Sequence, residues 1–191
     1  MVIKHRGQRV AVLIDVQNLY HSAKNLYQAR VNFGEILKLA ISDRNLIRAL
    51  GYVVRTKTGE EKPFFDALTK LGIETRVRDL QEFYGGIKKA DWDVGITVDA
   101  VRISPSVDTI VLVSGDGDFL QLVEYLKNQG KRVEVIAFGR SASSKLREEV
   151  DEFIDLGENS EKYLLKRSGF KKVLRKITTG RITKLFSNNH Y

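Results

Sequence analysis

The fold is decided by the stretch Thr109-Ile-Val-Leu-Val-Ser-Gly-Asp116-Gly-Asp118-Phe119. An apolar run rich in β-branched residues ends at Val113, and a helical pattern begins at Phe119, which predicts a buried strand followed by a helix. Asp116 and Asp118 then lie at the carboxyl end of that strand, where open α/β sheets bind their ligands. The first turn of the next helix also stabilises anions. An N-cap and a turn aspartate would explain this single pair as well, so the interpretation depends on the rest of the chain.

Apolar runs and helical patterns alternate along the chain. Strands are predicted over residues 10–14, 50–54, 73–80, 109–113 and 133–138, and helices from 19 to about 28 and over 33–41, 64–71, 91–103, 119–128 and 143–153. Gly51 interrupts the second strand for no reason that the sequence reveals. Five alternations predict an α/β fold of three α/β/α layers, with a mainly parallel sheet of about five strands in the order 3-2-1-4-5.

Composition narrows the class of protein. The 191 residues, 42% of them hydrophobic, suffice for one core and a modest appendage. No apolar run approaches the roughly 18 residues of a membrane span, and the first nine residues lack a signal-peptide pattern. Cysteine is absent, which excludes disulfides and thiolate metal sites, and His5, His21 and His190 lie too far apart to suggest a zinc cluster. We therefore expect a soluble, cytoplasmic protein with no membrane partner.

The basic charge is concentrated at the C-terminus. Residues 157–191 carry nine Lys or Arg and two Asp or Glu, whereas residues 1–156 carry 23 and 22. Phe170, Val173, Leu174 and Ile177 recur at helical spacing, with Lys171, Lys172, Arg175 and Lys176 on the other face. We therefore predict a domain over 1–156 and a basic, partly helical extension over 157–191. Such a segment attracts RNA or an acidic partner, although a solvated surface helix explains the pattern as well.

The predicted topology brings several aspartates together. Asp15 ends the first strand and Asp116 follows the fourth, and these strands are neighbours in the predicted order. Asp93, at the start of the helix after the third strand, reaches the same crevice, whereas Asp99 points about 120° away from Asp93. Carboxylates this close repel one another unless a cation offsets them. Oxygen ligands without His or Cys favour Mg²⁺ or Mn²⁺, and such a site suits metal-assisted phosphodiester hydrolysis.

Several motifs together resemble a known family. They are Leu13-Ile-Asp15-Val-Gln-Asn18-Leu, the segment from Lys89 to Asp99, Ser114-Gly-Asp116-Gly-Asp118-Phe, Ser143-Ser144-Lys-Leu146 and Asp151-Glu-Phe153. Over about residues 8–156, they resemble the NYN domain, the LabA/DUF88 type of PIN-like nuclease. The resemblance implies a PIN-like (Rossmannoid) fold and a Mg²⁺- or Mn²⁺-dependent ribonuclease whose partner is RNA.

The resemblance also implies roles for individual residues. The catalytic and metal-binding positions fall on Asp15, Asp93, Asp116 and Asp118, with Asn18 as a hydrogen-bond donor to water or a phosphate oxygen. Asp91 competes with Asp93 for the middle position, because it stands closer to Lys88 and Lys89. Asp99 and Ser114 are expected to contact the metal ligands rather than the metal itself. Gly117 stands where the family commonly has Ser, which loosens the turn.

Basic, hydroxyl and aromatic residues suggest where RNA could bind. Arg76, Arg78, Lys88 and Lys89 border the predicted crevice and are candidates for phosphate contacts. Further candidates are Ser143 and Ser144 at a helix start, and Lys171, Lys172, Arg175 and Lys176 in the C-terminal extension. Capping and solvated edges explain many of them equally well. Phe83, Tyr84 and Trp92 offer stacking surfaces, although an aromatic residue beside a helix start more often belongs to the core.

Other readings of the acidic site stay open or fail. The principal rival is a non-catalytic RNA- or protein-binding module, and a homo-oligomer stays open. Other acidic domains fit less well: Gln17 breaks the Asp-x-Asp of haloacid-dehalogenase phosphatases, and Lys127 occupies the position where an EF-hand needs Glu.

Overall fold

The computed structural model describes residues 4–56, 61–82, 88, 89 and 91–165. Its centre is a parallel sheet of β1 (Arg9–Asp15), β2 (Asn45–Arg55), β3 (Glu74–Asp79), β4 (Thr109–Val113), β5 (Arg132–Ala137) and β6 (Glu152–Asp155). The strand order is β3-β2-β1-β4-β5-β6. The predicted α/β class is confirmed, as is the order of the first five strands, and a sixth strand extends the sheet.

Helices cover both faces of the sheet. They are α1 (Val16–Tyr27), α2 (Phe33–Ile41), α3 (Lys62–Lys70), α4 (Asp93–Ile103), α5 (Leu120–Asn128), α6 (Ser144–Glu149) and α7 (Ser160–Tyr163). Alternate residues of β1 enter two separate cores, because successive strand side chains point to opposite faces. Val12 packs with residues of α1, α2, α3 and α7, and Leu13 packs with residues of α4, α5 and α6. No helix in the described part of the chain is long and apolar enough to cross a membrane.

The prediction of one helix over 143–153 is wrong in its second half. Helix α6 ends at Glu149, and Asp151 accepts a hydrogen bond from the Val133 backbone nitrogen at 2.7 Å. The chain then runs parallel to β5, with Phe153 opposite Val135. Pairing with a distant strand therefore overrides the local helical spacing.

The packed part of the chain continues past residue 156, where the sequence suggested a boundary. Leu164–Leu165 pairs antiparallel with Arg30–Val31, and Tyr163 and Leu164 are buried in the core beside α2. The described residues just after 156 therefore pack against the domain. The predicted basic helix, with Lys171, Lys172, Arg175 and Lys176, lies outside the described residues.

Gly51 has a packing role that the sequence did not reveal. A Cβ atom at this position would lie 2.9 Å from Ile73 Cγ2, closer than side-chain atoms can pack. The glycine therefore lets β2 approach the residue that leads into β3.

A network of charged residues lies at the amino edge of the sheet, where the parallel strands begin. The buried Glu134 carboxylate accepts two hydrogen bonds from Arg44, at 2.7 and 2.8 Å, and one from Arg132 at 2.7 Å. Burial raises the pKa of Glu134, but hydrogen bonds from both arginines outweigh it, so the pKa lies below its ordinary value. Lys4 and Arg132 both extend the network to Glu152. This network stabilises the edge opposite the candidate site.

Candidate acidic site at the carboxyl edge of the sheet

The ends of β1 and β4 lie side by side at the carboxyl edge. Ile14 is the register partner of Val113, so Asp15 and Ser114 leave the sheet at the same level. Ser114 Oγ donates to Asp15 Oδ2 at 3.3 Å and accepts from the Asp116 backbone nitrogen at 3.3 Å. The buried Ser114 hydroxyl therefore connects the two aspartates that the topology brings together.

Asp15 is held in place on both of its carboxylate oxygens. Its Oδ1 accepts from the Asn18 backbone nitrogen at 3.0 Å and caps the N-terminus of α1, and its Oδ2 accepts from Ser114. The residue is 8% exposed. Burial raises the pKa of Asp15, as does the nearby charge of Asp116, although the hydrogen bonds partly oppose this rise. The carboxylate is thus fixed in place but costly to ionise in the absence of a cation.

Asn18 connects α1 to the loop after β4. Its side-chain oxygen accepts a hydrogen bond from the Gly115 backbone nitrogen at 3.0 Å. A Cβ atom at position 115 would lie 3.0 Å from Ala142 Cα, so the loop packs against the chain there. The amide nitrogen of Asn18 has no protein partner among the described residues, which leaves a donor for a ligand. Asn18 thus serves as a cross-link, whereas Asp15 provides the helix cap.

Asp116 and Asp118 lie in one tight turn but differ in position. Asp116 Oδ1 accepts from the Asp118 backbone nitrogen at 3.0 Å and caps the short 3₁₀ turn Gly117–Phe119. Asp118 is exposed. A Cβ atom at Gly117 would lie 3.0 Å from Ser143 Oγ, so Ser143 occupies space that a larger residue would need.

Asp93 approaches from the opposite side, at the start of α4. Burial raises the pKa of Asp93 to about 6, together with the charges of Asp116, Asp15, Asp91 and Asp118. The negative charges of these four aspartates therefore all act on the Asp93 carboxyl group. This is the repulsion expected when carboxylates share a site without a cation.

Trp92 fixes the start of α4. Its indole nitrogen donates to the Val53 carbonyl oxygen at 3.0 Å, and its ring packs on Tyr52 at 5.3 Å between centroids. The Arg78 guanidinium lies 4.5 Å from the centre of the indole ring. A Cβ atom at Gly95 would lie 2.6 Å from the ring, so a glycine is required there. These contacts anchor the indole as a core residue would be anchored.

A cavity of about 360 Å³ contains the site. It is lined by Asp15, Gln17, Asn18, His21, Ser22, Asn25, Leu26, Asp91, Trp92, Asp93, Asp116 and Ser141. Four of these are carboxylates, and no Lys or Arg is among these described lining residues. Asp118 is not among them either. In the described part of the chain, no three or more His, Cys, Asp or Glu side chains are arranged, as they stand, to hold one metal ion.

Several predicted residues lie outside the cavity lining. Asp99 accepts a hydrogen bond from the buried Tyr52 hydroxyl at 3.1 Å and pairs with Arg76 at 3.5 Å. Arg78 donates to the Asp91 carbonyl oxygen at 2.6 Å and so borders the cavity.

Residues predicted to seat phosphate have structural contacts of their own. Ser143 Oγ caps α6 by accepting from the Leu146 nitrogen at 3.5 Å, and Ser144 lines a separate cavity. Lys88–Lys89 forms a two-residue strand with Gln81–Glu82, and the side chains of Lys88 and Lys89 lie outside the description.

Sequence reasoning missed the cavity wall formed by α1. His21, Ser22 and Asn25 follow Asn18 by three, four and seven residues and line the same cavity. This one-face spacing was the available signal. The spacing did not indicate a binding surface, because polar residues on one face of a helix are ordinarily in contact with solvent.

Fold and site together define a doubly wound α/β domain with an acidic cavity at its topological switch point. The sequence matches the NYN domain family over residues 9–161, and the chain belongs to that family. The NYN domain is part of the PIN-like nuclease superfamily.

Similar proteins support this assignment. The chain is 27% identical over 164 residues to the "Low amplitude and bright protein LabA" of Synechococcus elongatus, covering 80% of this chain and 86% of that protein. It is 28% identical over 163 residues to an uncharacterized protein of Methanocaldococcus jannaschii, covering 81% of this chain but 58% of that protein. The crystal structure of a protein of unknown function from Vibrio parahaemolyticus superposes with a TM-score of 0.77 at 31% identity, covering 86% of this chain and 100% of that one.

Proposed function

We propose that the protein is a metal-dependent ribonuclease that hydrolyses RNA phosphodiester bonds at the acidic cavity. The observation that carries the proposal is the convergence of Asp15, Asp93 and Asp116 on one cavity, with the pKa of Asp93 raised to about 6. Perturbed carboxyl groups in a cleft are typical of functional sites. Membership of a nuclease superfamily favours hydrolysis of a nucleic acid over other reactions at such a site.

The donor chemistry fits Mg²⁺ or Mn²⁺. The carboxylates are hard oxygen ligands, and their mutual repulsion is the kind that a divalent cation offsets. Asp15, Asp93 and Asp116 would hold the ion. Asp118 remains in the proposed set because its charge acts on Asp93. The side chains must reorient to share an ion, since they do not yet form one coordination group.

When bound, the metal would activate water and neutralise charge that develops on the phosphate. The chain's own groups position the reactants. Ser114 and the Asn18 backbone hold the Asp15 carboxylate. The free amide hydrogens of Asn18 would donate to a phosphate oxygen, while its oxygen keeps α1 bound to Gly115. Asp91 and Asp99 would influence the metal ligands without contacting the metal themselves.

The middle ligand is proposed to be Asp93. Both Asp91 and Asp93 line the cavity, but the charges of Asp15 and Asp116 raise the pKa of Asp93. Asp93→Asn should therefore abolish metal-dependent cleavage, and Asp91→Asn should only reduce it. The reverse ranking would move the assignment to Asp91.

The RNA path is proposed to leave the cavity beside Arg76 and Arg78 on β3. Arg78 touches both Trp92 and the Asp91 backbone at the cavity rim. Phosphate contacts by such residues supply salt-dependent affinity. Lys88, Lys89 and the basic residues after 165 are proposed to extend this path.

The test is cleavage of an end-labelled single-stranded RNA in Mn²⁺ or Mg²⁺. The wild type should cut the RNA, excess EDTA should stop the reaction, and Asp116→Asn should bind RNA without cutting it. Asp66→Asn is the matched control, because Asp66 is exposed on α3 and does not line the cavity. Cleavage that survives in Asp116→Asn would disprove the assignment.

The second candidate is a non-catalytic RNA-binding module. One observation favours it: both oxygens of Asp15 already accept hydrogen bonds from the protein. Under this alternative, the wild type retards RNA in a gel but cuts it in none of several divalent metals.

A further inference from the structure

One wall of the cavity, among its described lining residues, carries no Asp, Glu, Lys or Arg. It consists of His21, Ser22 and Asn25 on α1 and Ser141 from the turn after β5, and we call it the neutral wall. The carboxylates Asp15, Asp93 and Asp116 form the rest of the polar lining together with Asp91, Gln17 and Asn18. The cavity thus offers two chemically different surfaces to one ligand.

Contacts across the neutral wall hold its two elements together. The Ser22 and Ser141 hydroxyl oxygens are hydrogen bonded at 2.9 Å, and Ser141 Oγ lies 3.1 Å from the Phe138 carbonyl oxygen. The turn is fixed from behind by Asp155, which accepts from the Gly139 backbone nitrogen at 2.8 Å. The wall is therefore built from regular structure and is held in shape without a ligand.

Two side chains of this wall are available to a ligand. His21 and Asn25 are exposed, and their side-chain polar atoms have no hydrogen-bond partner among the described residues. The His21 ring lies edge-on to the Tyr20 ring, at 5.5 Å between centroids. Imidazole and amide groups provide hydrogen-bond donors and acceptors. Such groups match base edges and ribose hydroxyls, whereas phosphate is favoured by Lys and Arg, which the cavity lining lacks.

We propose that the neutral wall binds the base and ribose of the nucleotide next to the cleaved phosphate, and that His21 and Asn25 determine the base preference there. The inference rests on the proposed ribonuclease function. The cavity volume of about 360 Å³ lies at the lower end of the range for small-ligand sites. A volume of this size is sufficient for one nucleotide.

The test compares His21→Ala and Asn25→Ala in cleavage of single-stranded RNAs that vary at one position. Each variant should raise KM about three- to tenfold, as expected for one lost hydrogen bond. Because these contacts form in the ground state, kcat should change less than about twofold. The base preference should weaken at the nucleotide beside the cut and at no other position. His21→Gln, which retains a hydrogen-bonding side chain, should recover part of the affinity.

Matched controls come from the opposite edge of the sheet. The controls are His5→Ala and Asn128→Ala. His5 precedes β1 and Asn128 is the last residue of α5, and both are exposed and outside the cavity. They should leave KM and base preference unchanged. If the wild type cleaves RNA but neither cavity variant alters KM or base preference, the inference is overturned while the nuclease function stands.

A failure of the proposed function gives a different result. If the wild type cleaves no RNA, binding of the same oligonucleotides, measured by fluorescence anisotropy, tests the wall. Weaker binding by His21→Ala and Asn25→Ala, with unchanged binding by the controls, supports a nucleotide seat. Equal binding by all variants overturns it.

Discussion

Replacing Asp93 by Asn should stabilise the metal-free protein at neutral pH. Burial and four neighbouring carboxylates raise the pKa of Asp93 from 3.8 to about 6. At about 1.4 kcal/mol per unit, this rise corresponds to about 3 kcal/mol. Asp93 keeps partial contact with solvent, and its charge also interacts favourably with the α4 dipole. After allowance for screening and for that dipole, about 1 kcal/mol remains.

The sign follows from where the proton binds. The unfolded chain releases this proton near pH 4 and the native protein near pH 6, so native stability falls as pH rises through this interval. Asp93→Asn should therefore raise Tm by about 2–4 °C at pH 7.5 and leave it almost unchanged at pH 4. The assay is thermal unfolding in EDTA, followed by circular dichroism at both pH values.

Asp108→Asn provides a control of opposite sign. Hydrogen bonds from the Arg9 side chain and backbone lower the pKa of Asp108 to about 2. Its substitution should lower Tm at pH 7.5, because it removes the charged partner of Arg9. Asp108 is partly exposed, like Asp93. If Asp93→Asn lowers Tm at pH 7.5, or raises it equally at both pH values, the idea that repelling carboxylates share a cavity is refuted.

Two further substitutions, one of them with a matched control, test the packing of the fold. Glu134→Gln leaves buried Arg44 without its charged partner and should reduce the free energy of unfolding in urea by about 3–5 kcal/mol. Glu74→Gln, in an exposed pair with an arginine of β2, should cost less than about 1 kcal/mol, and equal losses would contradict the role given to burial. Gly51→Ala places a methyl group 2.9 Å from Ile73 Cγ2 and should cost about 1–3 kcal/mol in the same assay; a neutral effect would show that β2 can move away from Ile73.

Much of the fold could be predicted because its signals are local. The apolar run before Asp15 and the cap at Asn32 mark where elements begin and end. The order of five strands is that of a doubly wound parallel sheet, which the alternation of strands and helices indicates. β6 could not be predicted, because the sequence up to residue 153 has helical spacing. In the structure, Asp151 instead accepts a hydrogen bond from the backbone of β5, and β6 begins at the next residue. Pairing energy from a distant strand is absent from any local window of sequence.

The candidate site was predictable in part for the same reason. Placing polar residues after neighbouring parallel strands predicts that Asp15 and Asp116 converge, and the structure places both in one cavity. The sequence left Asn18 open between a helix cap and a hydrogen-bond donor to the ligand, and its bond to the Gly115 backbone was not predicted. His21 and Asn25 were not predicted at all, since nothing local distinguishes a helix face in a cavity from one in water.

The most direct test of a divalent-ion site formed by remote aspartates is anomalous diffraction from crystals soaked in Mn²⁺. We predict a manganese peak at the carboxyl edge of the sheet, held by carboxylate oxygens of Asp15, Asp93 and Asp116. No peak at saturating Mn²⁺, or a peak held by other residues, would contradict it.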